Sequence, residues 1–319
     1  MRRHLIRRLV LILPSLLGIA TVLYAVLALA PGDPLAEAAA SPDLTPEVRM
    51  RMRAALALDD ALASRFAHWL GAMLRGDWGT SFVSHLSVSA LIRDRIGVTL
   101  AIVGASQVCA LLIALSVGTL SAIRPYSWFD RIASVVALAG FSLPTFFTGT
   151  LLILVFSIKL HWLPMVYRSD LEGQGWGSVV DSLRQAIMPV TVLSIFQGAG
   201  WVRYVRSTVL DVVRLDYVTT ARSKGLPEHK VMIRHVLRNA APVLLTLVMV
   251  QMPAVFGGAI VTEQIFRIPG IGSLLIMAIM RNDMPVIMGV TFIFAILVLA
   301  SNLIADLLHG ALDPRVASL

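Results

Sequence analysis

Residue types that commonly do chemistry are scattered through this sequence. Phosphate binding of the P-loop kind needs G-x-x-x-x-G-K-[ST], in which backbone N–H groups cradle the phosphates and the lysine reaches the outer ones. That pattern does not occur: Gly257-Gly258 and Gly270-Ile271-Gly272 lack the lysine and a strand-to-helix setting. The chain is expected to bind no ATP itself and to be no enzyme. Its seven histidines form no H-E-x-x-H or clustered set, so neither a metal nor a cofactor site is expected in it. His161, beside Trp162, reads as an interfacial residue. The single cysteine, Cys109, lies in an apolar stretch and reads as a small packing residue. No Ser-His-Asp set follows from spacing alone.

Polar residues inside apolar runs are the next candidates. Carriers driven by protons or sodium usually hold ionisable groups deep in their membrane spans. Here the apolar runs contain Gln107, Gln197, Gln251 and Asn302 but no central acid or base, and Asp306 falls at the inner edge of the last run. Gln197, Gln251 and Asn302 are candidates to line a path for a polar solute. Hydrogen bonding between helices is an equal alternative for the two glutamines.

Hydrophobic residues make up 57% of the 319 residues and charged residues 14%, with mean hydropathy +0.80. Soluble domains carry about a quarter charged residues, so composition points to the membrane. Six apolar runs, at about 9–30, 97–123, 132–158, 186–209, 240–262 and 285–307, meet the roughly 20 residues a spanning helix needs. With the N-terminus inside, 15 of the 27 Lys and Arg fall in the short inside segments 1–8, 124–131, 203–239 and the tail. The inside then carries about +9 and the outside about −1, which satisfies the positive-inside rule with both termini cytoplasmic. The net charge of +8 needs no nucleic acid to explain it. Residues 1–30 resemble a signal peptide up to Ala28-Leu29-Ala30, but the apolar body is long and Pro31 follows, so an uncleaved first span is expected.

Three connecting segments carry more than a turn. The outside insertion 31–96 has a helix start at Thr45-Pro46-Glu47, then an amphipathic stretch with Arg49, Arg51, Arg53 and Arg65 against Trp69, Leu70 and Met73. It ends at Arg75-Gly76-Asp77-Trp78-Gly79, and suits a cap, a docking surface or a partly ordered lid. The inside segment Arg203–Asn239 runs through Asp216-Tyr217-Val218-Thr219-Thr220-Ala221 and Arg222-Ser223-Lys224 to Gly225-Leu226-Pro227. A glycine after a basic last turn predicts a helix closed by a residue of positive φ at Gly225. A second helix follows from Glu228. Two helices meeting at such a corner would present a short helix to a cytoplasmic partner. Ala221 is small enough to seat that helix in a groove, with Arg222 and Lys224 at the rim. The third segment, Glu263 to Asp283, has charges at both ends and the Pro269-Gly270 turn between them.

Thr219-Thr220-Ala221, Gly225 and His235-Val236-Leu237 together resemble the EAA loop of bacterial ABC-importer permeases. The wider run, with Asp216-Tyr217, Ala221-Arg222, Lys224-Gly225-Leu226, Arg234-His235 and Leu237-Arg238-Asn239-Ala240, is similar to the dipeptide/oligopeptide/nickel branch. Thr219 and Arg238 depart from the glutamate and proline of the general loop. Ala30-Pro31-Gly32-Asp33-Pro34, Gly76-Asp77-Trp78-Gly79-Thr80-Ser81-Phe82, Phe266-Arg267-Ile268-Pro269-Gly270-Ile271-Gly272, Asn282-Asp283-Met284-Pro285-Val286 and Leu312-Asp313-Pro314-Arg315 match the same branch in order. The long first outside segment resembles the first of the two permeases such systems encode.

The resemblance implies an all-α polytopic permease of a bacterial cytoplasmic (inner) membrane. The expected divisions are a tail and first span at 1–30, the insertion at 31–96, a five-helix core at 97–309 with the EAA loop at 211–240, and a cytoplasmic tail at 310–319. It implies a second homologous permease, two cytoplasmic ATPases that bind ATP and Mg, an extracytoplasmic solute-binding protein and a peptide substrate. The loop residues Asp216, Tyr217, Thr219, Thr220, Ala221, Arg222, Lys224, Gly225, Leu226 and His235 would couple to an ATPase. Glu263, Arg267 and Asp283 would lie near an outer gate, in a re-entrant helix pair or a connector at the interface. The alternative from another class is an ion-coupled secondary carrier. An intramembrane enzyme lacks a catalytic set.

Overall fold

The computed structural model describes residues 2–29, 60–168, 176–251 and 253–312. Among them the chain is helical, with an isolated bridge between Thr80 and Ser87 and no strand. In order come α1 (Arg2–Ala28), α2 (Leu62–Leu74), α3 (Val88–Ile123), α4 (Trp128–Ser142) and α5 (Thr145–Lys159). Then follow α6 (Trp176–Val213), α7 (Asp216–Ser223), α8 (Glu228–Gln251), α9 (Ala254–Phe266), α10 (Ile271–Met280) and α11 (Met284–Leu312). The second half of α5, Ile153–Lys159, and the stretch Val231–Leu237 of α8 are wound as wider π turns. Five helices, α1, α3, α6, α8 and α11, are long and apolar enough to cross a membrane, or up to seven spans if the bent pairs α4–α5 and α9–α10 each count as one. The expected helix start at Thr45 and the arginines at 49, 51 and 53 lie outside the described residues.

Three expected spans differ from the helices observed. The run at 132–158 is not one rod: α4 stops at Ser142, and α5 leaves at 106°. Pro144 lacks an N–H and its ring drives Leu143 to φ −80, ψ 129, so the helix cannot pass through. Hydropathy misses this because both sides of the break are apolar. The run at 240–262 likewise straddles the join before Pro253, between α8 and α9. α3 begins at Val88 rather than 97, because Arg93, Asp94 and Arg95 are helical although they break the apolar run.

The chain divides into two compact units. One comprises 1–5, 100–268 and 300–319; the other comprises 6–99 and 269–299. The described part of the insertion clusters with 269–299.

In the first unit, Ala110, Ala114, Gly118 and Ala122 recur every fourth residue and so share one face of α3. A Cβ on Gly118 would stand 2.7 Å from Val205 Cβ and 2.8 Å from the Val202 carbonyl, while Gly198 backs onto Ala110. Hydrocarbon gives helices no hydrophobic reason to associate, so close packing through small residues takes that role. The Ser194 hydroxyl donates to the Ser106 carbonyl across the same seam, at 3.1 Å.

In the second unit, Val88 and Ile92 pack with Ile271, Leu274, Val286 and Val290. The Ile271 N–H, otherwise orphaned at the start of α10, donates to Thr99 Oγ1 at 3.0 Å. The amphipathic α2 lies on α1 through Tyr24, Phe66 and Trp69, whose ring centroids are 5.4 to 6.1 Å apart. Val10, Leu13, Val22 and Val26 of α1 and Val135 and Val136 of α4 stay exposed, as suits lipid-facing positions.

Candidate functional site

The corner expected on the cytoplasmic side is built from α7, the residues 224–227 and the start of α8. Asp216 opens α7, where a carboxylate favours the positive end of the helix dipole. Lys224 follows the helix and Gly225 takes φ +75, its N–H donating to the Arg222 carbonyl at 2.9 Å. The positive φ expected at this glycine is the one it has. Nothing lies within 4 Å of a Cβ placed there, so the backbone conformation alone selects glycine.

Two side chains of the corner point differently from expectation. Ala221 does not face outward: with Val218 it is buried against Val209, Val231 and Val236. Its small size serves close approach inside this chain. Nor is Arg222 a free rim charge, because its Nη2 and Nε donate to the two Glu228 oxygens at 2.6 and 3.2 Å, bracing the corner. That hydrogen bond holds the Arg222 pKa above its ordinary value. The exposed surface of the corner comprises Asp216, Tyr217, Thr219, Thr220, Arg222, Ser223, Lys224, Gly225 and Leu226, and continues to Pro227 and Glu228. Thr220 and Ser223 donate their hydroxyls to the carbonyls of Asp216 and Thr219, which leaves Tyr217 and Leu226, with Leu215 just before α7, as the large exposed apolar groups. His235 lies partly buried in the π stretch of α8.

The candidate path residues separate. Gln197 Nε2 donates to the Gln251 carbonyl at 3.3 Å, and Trp201 Nε1 donates to Gln251 Oε1 at 3.1 Å. Gln251 is the last residue of α8, so its carbonyl has lost an intrahelical partner and Gln197 supplies one. This geometry favours the helix-to-helix role for both glutamines. Asn302 is exposed on α11.

The residues expected near the outer gate fall in different units. Glu263 is buried near the end of α9, and Arg267 is an exposed left-handed cap at φ 51, followed by the Ile268 N–H on the Glu263 carbonyl at 2.8 Å. Asp283, in the other unit, is buried. Its Oδ2 accepts from the Ser81 hydroxyl at 2.5 Å and its Oδ1 from the Phe82 N–H at 3.1 Å. Ser81 Oγ in turn accepts from the N–H groups of Val83 and Ser84. Asp283 thus ties the Gly76–Phe82 motif to the Asn282–Val286 motif, a structural role the sequence reading missed.

A second missed feature is the pairing of Asp130 with Arg206, whose Nε and Nη2 donate to the two carboxylate oxygens at 2.5 and 2.7 Å. The sequence does contain a signal: an acid in a short loop, three residues after a serine suited to cap a helix, and an arginine, Arg206, that enters the end of an apolar run with Arg203.

These features meet known proteins at the level of the whole chain. A family model described as "Binding-protein-dependent transport system inner membrane component" matches residues 114–318, and its N-terminal companion matches 1–103. The chain belongs to this family. Among its relatives, the oligopeptide transport system permease protein AppB of Bacillus subtilis is 38% identical over 317 residues, covering 99% of each chain. The dipeptide transport system permease protein DppB of Escherichia coli K12 is 33% identical over 335 residues, again covering 99% of each. The glutathione transport system permease protein GsiC of Salmonella typhi is 34% identical over 316 residues, with 99% of each covered. In fold, a chain of the methionine ABC transporter MetNI, solved in inward-facing conformations, superposes with TM-score 0.54 at 16% identity, covering 70% of this chain and 97% of that one. As a family member the chain is a multi-pass transport permease of the inner membrane and does not itself catalyse a reaction.

Proposed function

We propose that this chain is one of two related permease subunits of an ATP-binding-cassette importer that moves peptides into the cytoplasm. The observation that carries the reading is full-length similarity to relatives whose names specify oligopeptide, dipeptide and glutathione transport. Two partner ATPases bind ATP and Mg and hydrolyse the nucleotide. An extracytoplasmic binding protein delivers the peptide, and alternating access carries it across. Six spans place both termini in the cytoplasm, with the insertion 31–96 outside, the core at 97–309 and the loop 211–240 inside.

In this reading α7 is the coupling helix, and it docks through its outward face. Tyr217 and Leu226 supply apolar contact to an ATPase groove, and Lys224 adds a charge at the rim that steers docking. Val218 and Ala221 anchor the helix to its own chain, and the Arg222–Glu228 pair keeps the corner shaped while it is pushed. The carrier alternative lacks support because no acid or base sits deep in a span.

The reading is tested by photo-cross-linking in the assembled complex. A photoreactive residue at Tyr217 or Thr220 should capture an ATPase subunit, and one at Ile233, exposed on α8, should capture it less. Absence of any ATPase adduct from Tyr217 and Thr220 in an assembled complex contradicts the assignment of α7.

A further inference from the structure

The Asp130 carboxylate stands at a junction that the coupling reading leaves unused. It is 3% exposed, near the start of α4, and it accepts three hydrogen bonds, from Arg206 Nε, Arg206 Nη2 and the Tyr126 N–H, the last at 2.8 Å. Tyr126 belongs to the α3–α4 corner, where it takes φ 63, and Ser127 caps α4 by accepting the Asp130 N–H at 3.3 Å. One carboxylate therefore joins the corner, α4 and α6.

Cohesion does not require that joint. α4 already packs along α6 through Gly140, where a Cβ would meet Ile195 at 3.0 Å, and through the stacked rings of Phe141 and Phe196. A desolvated ion pair is a weak source of net stability, and its best-attested use is fixing one arrangement among several. What this pair fixes is the inner end of α6, two helical turns before Val213 and the short link at Arg214-Leu215 to α7. Val205 and Val209, flanking Arg206, share a core with Val218 and Ala221 of α7. A displacement of α7 thus reaches Arg206 at once. Through Asp130 it passes to α4, whose far end is the Pro144 break.

We propose that Asp130 and Arg206 are positioning residues for transport, forming the joint through which movement of α7 is handed to α4. The inference rests on α7 being the coupling helix. Without the joint, α7 and α6 move on ATP binding while α4 lags, and hydrolysis continues without productive opening.

The test uses the complete complex in proteoliposomes, with D130N, R206Q and the exchange D130R/R206D. Peptide uptake, ATP hydrolysis and subunit stoichiometry are measured together. Each single variant should assemble and hydrolyse ATP near the wild-type rate while peptide moved per ATP falls about fivefold, within the range expected when a connecting residue is altered. The exchange should transport more per ATP than either single variant, though less than wild type, because Arg at 130 cannot accept the Tyr126 N–H. Where D130N does not accumulate, R206K, which keeps the charge but loses the two-pronged contact, is judged by the same ratio. Unchanged peptide per ATP in assembled variants overturns the proposal. So does a loss of uptake that only tracks loss of complex, which is a folding role. If wild type shows no ATP-driven uptake, the functional reading fails and this inference falls with it. If wild type transports and Gly225→Val uncouples but D130N does not, only the joint is wrong.

Discussion

At Gly225 the backbone carries the constraint, and this gives a sharp expectation. An L residue at φ +75 costs roughly 1 kcal/mol or more, although the space around it is open. Gly225→Val should leave the chain in the membrane but lower substrate-stimulated ATP hydrolysis by its complex; full stimulation would remove the corner from the mechanism. Ala221→Trp should behave differently. Ala221 is buried against Val231 and Val236, so a large ring overpacks this chain, at about 1–3 kcal/mol or more, and lowers its amount in membranes. Normal accumulation of that variant would show that Ala221 is not buried as described. The glycine was legible in sequence because it stands just past a helical turn, where a residue of positive φ commonly closes the helix. The direction of Ala221 was not, since a small residue fits a partner's groove and its own core equally well. Ser81→Ala leaves a buried oxygen of Asp283 without its donor and should cost about 1–3 kcal/mol. A lowered thermal midpoint of the detergent-solubilised chain is the expected readout, and an unchanged midpoint would contradict the buried bond.

Helices were easier to foresee than their breaks. The apolar runs found the positions of α1, α3, α6 and α11 because length and hydropathy are what a bilayer demands. They could not find the turn at Pro144, where apolar residues flank the break, or the helical charges at the start of α3. The small-residue seam between α3 and α6 was hidden for a related reason. Gly104 and Gly118 look alike in sequence, yet a Cβ on Gly104 meets nothing within 4 Å and one on Gly118 meets Val205 at 2.7 Å. Gly118→Leu should therefore reduce membrane accumulation severely, while Gly104→Leu should be tolerated. Immunoblots of membrane fractions decide it, and equal amounts of the two variants would dissolve the seam.

For the whole molecule, composition and family membership converge on an inner-membrane permease, whose basic segments the positive-inside rule expects on the cytoplasmic side. Orientation is open to direct labelling in a Cys109→Ser background. Ser84 is exposed beside the buried Ser81, so a cysteine at 84 should react with a membrane-impermeant reagent in intact cells, and one at Ser223 should not. The reverse pattern would invert the topology. Substrate chemistry was least legible, because Gln197 and Gln251 bond to neighbouring helical elements.

The central claim is that partner ATPases drive inward peptide movement through this chain. The most direct measurement is uptake of a labelled peptide into proteoliposomes holding both permeases and both ATPases, with the binding protein outside and ATP trapped inside. Uptake should require internal ATP and persist when proton and sodium gradients are collapsed. Uptake that follows an ion gradient and continues without ATP would contradict the account.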